Sequence, residues 1–316
     1  MEKRAILAFV LSFVVLLIWM QYSARRPVDP VGSNNINNEE QIDKSVEKAV
    51  PDHQADQSTS PVQSEIKAGT PDVEEKVITV ETPLYIATFS NSGPSLTGLK
   101  LKKYRSTLDP DSPPVELFTA QDHVKDHISL YFDDPLLKDA KNLVFKTGGE
   151  SIVLSQGESD KEISFRFVAS TGIAIEQIFS FSAESYDIGL KIKIANQSAN
   201  AVNGNIKAVI NNLKPAQKSR YYTFIGASVY SDNELNEFDF DDLEENQELS
   251  GSIEWVAYEN EYFISAVIPH EKKDVKFTGT LQASGVATAT HISSPLEITP
   301  GAEVSKEYSL FLGPRD

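Results

Sequence analysis

Tyr186-Asp-Ile-Gly-Leu-Lys-Ile-Lys-Ile-Ala-Asn196 decides the fold class. Ile188, Leu190, Ile192 and Ile194 alternate with Asp187, Gly189, Lys191 and Lys193, so one face is dry and the other wet, the period of a half-buried antiparallel strand. The same period of two recurs at Val77–Val80, Leu84–Phe89, Ile128–Phe132, Ile163–Val168, Ile173–Phe181, Val202–Ile210, Tyr221–Tyr230, Tyr262–Ile268, Lys276–Thr280, Val286–His291 and Glu303–Leu312. Turn-forming residues separate these runs: Asn91-Ser-Gly-Pro94, Pro113-Pro114, Gly148-Gly149, Asn203-Gly-Asn205 and Pro300-Gly301. Many short strands with almost no amphipathic helix predict an all-β chain folded as a large β-sandwich.

Upstream of residue 74 the chain changes character twice. Ala5–Met20 is apolar except for Ser12, and continued to Ala24 it makes a helix roughly 30 Å long at about 1.5 Å per residue, enough to cross a bilayer. Trp19 and Tyr22 are expected at the far membrane interface. A cleaved signal peptide is the rival, but no small-x-small site follows the apolar run: Tyr22 stands two before Ala24 and Gln21 two before Ser23. An uncleaved transmembrane α-helix over 1–24 is therefore expected. Lys3, Arg4 and the α-amino group barely outweigh Arg25 and Arg26, so charge leans only weakly towards a cytoplasmic N-terminus. Residues 27–72 hold five prolines, many polar residues and no aromatic, so they bury too little to offset their ordering entropy. A disordered tether over 25–73 would span roughly 35–40 Å, leaving residues 74–316 as the folded domain.

Composition removes several kinds of chemistry. The 316 residues contain no cysteine, which excludes thiolate metal sites, cysteine nucleophiles and disulfides. A formal net charge of −17 without any lysine- or arginine-rich stripe argues against nucleic acid as a partner. There is no phosphate loop, dinucleotide fingerprint, zinc-protease helix, nucleophile elbow or EF-hand spacing. His123 and His127 have the spacing of a helical metal pair, with Asp122, Asp126, Asp133 and Asp134 near them. They match no recognised ligand motif, and a polar loop leading into the strand at Ile128 is expected. His270 follows a strand end and reads as surface.

Asp232–Glu248 carries nine acidic residues and no Lys or Arg but lacks the calcium-loop spacing, so a solvated loop or short helix is expected. Phe238, Phe240 and Leu243 inside it have the means to pack back on the sandwich.

The densest aromatic cluster runs from Gly251 to Pro269, and aromatics alternating in a strand read first as core. Its pattern, Trp255-x-Ala257-x-x-x-x-Tyr262-Phe263-x-x-Ala266-x-x-Pro269, resembles a signature in the large periplasmic domain of the bacterial branch of the YidC/Oxa/Alb membrane-protein insertases. Other blocks agree in order: the opening Lys3-Arg4 and apolar run, Asn91-Ser-Gly93 leading to Leu99–Tyr104, Phe179–Asn196, Tyr222–Gly226, and the closing Leu312-Gly313-Pro314-Arg315. Glu261 departs from the basic or amide residue usual before the Tyr-Phe pair.

The resemblance implies a galactose-mutarotase-like β-supersandwich in the periplasm, anchored in the bacterial inner membrane by one helix. It implies no enzyme activity and no cofactor or metal. The implied partners are the Sec translocon and its accessory subunits, nascent inner-membrane proteins and the lipid bilayer. Trp255, Tyr262, Phe263, Ala266, Pro269, Gly313 and Pro314 are the family-motif residues, expected to be structural. The family's five-helix insertase core has no counterpart in these residues. A membrane-tethered carbohydrate-binding or mutarotase-like protein is the alternative, and it would need an acid–base pair converging on a sugar, which no spacing singles out.

Overall fold

The computed structural model describes residues 73–118, 124–137, 139–148, 150–215 and 223–315. Among them no helix is long and apolar enough to cross a membrane, and Ala5–Ala24, with Trp19 and Tyr22, and the tether expected over 25–73 lie outside them except for Val73.

The strands in chain order are β1 (Val77–Glu81), β2 (Tyr85–Ser90), β3 (Ser95–Arg105), β4 (Pro114–Phe118), β5 (Ile128–Asp133), β6 (Lys146–Thr147), β7 (Ile152–Val153), β8 (Lys161–Val168), β9 (Ile173–Phe181) and β10 (Asp187–Asn196). They continue as β11 (Val202–Leu213), β12 (Gly226–Ser231), β13 (Glu234–Phe238), β14 (Gln247–Gly251), β15 (Ile253–Glu259), β16 (Phe263–Pro269), β17 (Val275–Leu281), β18 (Val286–Ile292), β19 (Leu296–Ile298) and β20 (Glu303–Pro314). One sheet runs β14-β17-β18-β11-β5-β3-β2-β1-β7, with β4 on β3 and β19 on β11; the other runs β13-β12-β15-β16-β20-β10-β9-β8-β6. Pairing is antiparallel throughout except where β7 joins β1.

β10 shows why the pattern works. Its four alternating aliphatic residues are buried, and the register sets Ile188 opposite Phe181 and Leu310, and Leu190 opposite Phe179 and Tyr308. Those inner faces meet the other sheet. Phe89 on β2 lies 5.0 Å from Phe179 and 5.6 Å from Phe181, ring centre to ring centre, and Phe145 lies 5.5 Å from Phe167. Gln177, buried on the inner face of β9, donates from Nε2 to the Leu130 carbonyl of β5 at 2.8 Å. A single hydrophobic core therefore fills the space between the sheets.

Three local expectations need correcting. Asn203-Gly-Asn205 is not a turn; it lies in β11, where a Cβ on Gly204 would come within 2.4 Å of the Asp133 carbonyl oxygen and 2.9 Å of the Phe132 ring. Glycine serves close backbone approach here, a use that sequence alone does not separate from turn formation. The run Asp232–Glu248 is not one loop but holds the strand β13 and the start of β14. Asp232 and Asn233 take positive φ at a tight turn, β13 returns along β12, and Phe240 and Leu243 are buried around a 3-10 turn at Asp242–Glu244. Finally, β12 begins at Gly226, so within the strand expected over Tyr221–Tyr230 the residues Thr223 to Ile225 are not strand; Tyr221 and Tyr222 are outside the described residues.

Candidate functional site

β15, β16 and β20 lie side by side, and this sets the family-motif residues on three neighbouring strands of the nine-stranded sheet, Phe263, Gly313 and Pro314 at one end and Trp255 and Pro269 at the other. Ala257 pairs with Ala266, and Phe263 pairs with Pro314. Alternation splits the motif between two faces. Val256 and Val267 point into the core, as does Phe263, whose ring meets Tyr104 edge-on at 5.3 Å. Trp255, one residue from Val256, turns outward and stacks on Tyr230 of β12 at 6.0 Å with 14° between the planes. Ala266 is buried, Pro269 closes β16 opposite Tyr308, and Tyr262 is exposed at the β15–β16 turn.

That turn is built by Asn260, whose Oδ1 accepts from the Tyr262 and Phe263 amides at 3.0 and 2.9 Å. Gly313 packs under Tyr186: a Cβ there would stand 3.0 Å from Tyr186 Cγ.

The structure also reveals a buried ion pair that the sequence does not mark. Glu259, last in β15, is only 4% exposed; Ser228 Oγ donates to its Oε1, and Arg315 Nη1 lies 3.0 Å from its Oε2. A glutamate in an alternating strand reads as part of a wet face, and only the pairing of β12 with β15 shows that it is covered. The single advance signal was the basic residue ending Gly313-Pro314-Arg315.

Histidines are placed separately. His127 is buried and stacks on Phe118 at 4.7 Å, with Nδ1 3.2 Å from the Asn211 carbonyl, while His123 lies outside the described residues. Among the described residues no group of three or more His, Asp or Glu is arranged to hold a metal. His291 on β18 is buried edge-on to Tyr308 at 5.8 Å, with neither ring nitrogen hydrogen-bonded, and burial lowers its pKa to about 4.

His270 is on the surface, as expected, with Nδ1 3.5 Å from Glu307. Both residues line an open groove of about 470 Å³ on the outer face of the nine-stranded sheet, shared with Ser180, Gly189, Lys191 and Ser309. Lys191 binds the same Glu307 carboxylate at 2.6 Å, and chiefly through that hydrogen bond holds its pKa below the usual range. A carboxylate so engaged is a poor general base.

Two facing, almost wholly antiparallel sheets around one core define a large β-sandwich. A galactose mutarotase-like protein from Lactobacillus casei superposes with a TM-score of 0.53 over 75% of this chain and 100% of its own, at 10% identity. A putative aldose 1-epimerase from Escherichia coli K12 gives 0.52 over 77% and 100%, at 11% identity. At such identities the likeness is one of fold. Sequence comparison is more specific: the profile of the YidC periplasmic domain matches residues 77–316, and the chain belongs to that family. The membrane protein insertase YidC of Syntrophus aciditrophicus is 29% identical over all of this chain and 59% of its own length. That of Geobacter metallireducens is 28% identical over all of this chain and 58% of its own. The chain thus spans somewhat over half the length of these relatives.

Proposed function

We propose that this chain is the anchor and periplasmic domain of a membrane-protein insertase. The family match across 77–316 carries the reading, and the alignment of the whole chain with the insertase relatives extends it to the apolar segment near the N-terminus. On this reading Ala5–Ala24 holds the chain in the inner membrane as one span, with the N-terminus cytoplasmic and the sandwich in the periplasm. The domain works by contact rather than by chemistry. Its partners are nascent inner-membrane proteins and the Sec translocon with its accessory subunits, and the bilayer holds it near both.

Photo-crosslinking in intact inner membranes tests this. A photoreactive phenylalanine analogue replaces, one at a time, the exposed residues Val77, Leu108, Leu235 and Tyr262 of the full chain. Adducts with translocon subunits or a nascent membrane protein are expected from at least one position, and none from any of the four would overturn the proposal.

A carbohydrate-active reading draws only on fold likeness at 10–11% identity and on the His270–Glu307 contact, whose carboxylate Lys191 already occupies. Calorimetric titration with common hexoses should give no heat; saturable binding or mutarotation would revive that reading.

A further inference from the structure

We infer that Glu259 and Arg315 form a latch that clamps the end of the last strand onto the β15–β16 hairpin, fixing where the chain leaves the sandwich. The inference rests on the geometry of this corner and not on the insertase reading.

β20 is gripped from both sides as it ends. On one side the Leu312 amide donates to the Tyr186 carbonyl at 3.3 Å, and Gly313 packs closely against Tyr186, whose Cγ would lie 3.0 Å from an added Cβ. On the other, Pro314 stands opposite Phe263, and proline supplies no amide to that pairing. The next residue makes up the loss twice. The Arg315 amide donates to the Tyr262 carbonyl at 2.8 Å, and its guanidinium reaches the Glu259 carboxylate.

Burial of its carboxylate sets this pair apart from the ion pairs on the strand faces. The ion pairs Lys100–Glu116, Lys102–Glu81, Lys191–Glu307 and Lys193–Glu176 all join half-exposed side chains, and such contacts hold little in place. The Glu259 side chain is only 5% exposed and the Arg315 side chain 35%, so a carboxylate removed from water has one cation and one hydroxyl, that of Ser228, to compensate it. Opening the latch would leave that charge buried and unpaired, a state far costlier than a broken surface contact. Arg315 therefore cannot swing away without disturbing the sandwich beneath it, and a segment following it must depart from beside the Tyr262 turn.

Hydrogen exchange by mass spectrometry on the full 316-residue chain tests the latch, comparing wild type with R315A, R315K and the double variant E259Q/R315A. R315A should speed exchange at least tenfold in peptides covering 310–316 and 258–264, while β8 and β9 at the far side of the same sheet keep their protection. R315K retains a cation and should recover part of the loss. E259Q/R315A removes the stranded charge, so it should unfold at higher urea than R315A alone although it lacks both partners. Unchanged exchange at 310–316 in R315A would refute the latch. So would a loss spread evenly over both sheets, or a double variant less stable than R315A. If R315A does not fold, the order of R315K and E259Q/R315A against wild type still decides: the latch requires both to fold and both to exchange faster than wild type at 310–316.

Discussion

Substituting His291 by phenylalanine should flatten the acid limb of this domain's stability curve. The imidazole sits between Ala208 of β11 and Phe277 of β17 with its edge to Tyr308, and neither nitrogen has a hydrogen-bond partner. Burial opposes the charged form and lowers its pKa from 6.5 to about 4. Between those values the unfolded chain binds a proton that the folded one refuses, so stability falls as pH drops below 6.5 and levels off below 4.

Linkage with these two values gives a loss of about 2 kcal/mol at pH 5 and about 3 kcal/mol at pH 4, relative to pH 7. Glu271, Lys306, Glu307 and His270 line the small cavity beside the ring and remain in the variant, as do the other carboxylates, so their contributions cancel in the comparison. Urea denaturation of wild type and H291F, followed by circular dichroism at pH 4, 5, 6 and 7, measures the difference. H291F should gain on wild type by about 2 kcal/mol between pH 7 and pH 5. Parallel curves, with a gap constant to within about 0.5 kcal/mol, would mean that the ring is solvated or already partnered, and the argument would fail.

Other substitutions probe the fold and the anchor. Gly204→Ala forces a methyl group against the Asp133 carbonyl oxygen of the neighbouring strand and should cost upwards of about 2 kcal/mol, read from the urea midpoint. Gly313→Ala brings a methyl group to 3.0 Å from Tyr186 Cγ and 3.2 Å from Tyr186 Cβ and Phe311 Cζ, side-chain atoms that need give only tenths of an ångström, so about 1 kcal/mol is expected and a larger loss than for Gly204→Ala would contradict the geometry. Phe89→Ala removes the ring that meets both Phe179 and Phe181 across the sheets, and a loss of about 3–5 kcal/mol is expected, with less than about 1 kcal/mol showing that the sheets do not depend on that contact. Val15→Arg places a charge at the centre of the proposed anchor at a cost of roughly 2.5–3.5 kcal/mol, so the variant should be released by alkaline extraction, whereas unchanged retention would remove the anchor reading.

The strand pattern was legible because side-chain alternation is local. Ile173–Phe181 was read to the residue, and Val286–His291, Lys276–Thr280 and Glu303–Leu312 within a residue or two at each end. The failures were also local in cause. Glycine flanked by asparagine at Gly204 carries a turn signal that a neighbouring strand overrides. The acidic residues of Glu234–Phe238 hid an edge strand, because an edge exposes one side to water and tolerates charge there. The motif from Trp255 to Pro269 was visible as a resemblance, yet its division between core and outer face required the register.

The amino-acid sequence by itself determined that the domain is all-β, which residues form the dry face of each long strand, and which family it belongs to. Each of these follows from the order of neighbouring residues. Only the tertiary structure decided which strands meet: Leu190 pairs with Tyr308, and Asn91 in the turn after β2 donates to the Phe145 carbonyl just before β6. It alone decided that His291 is dry and that Glu259 is covered and matched by Arg315. Burial of a charge and the partner that compensates it depend on segments distant in sequence, and their energies exist only once the sheets have closed.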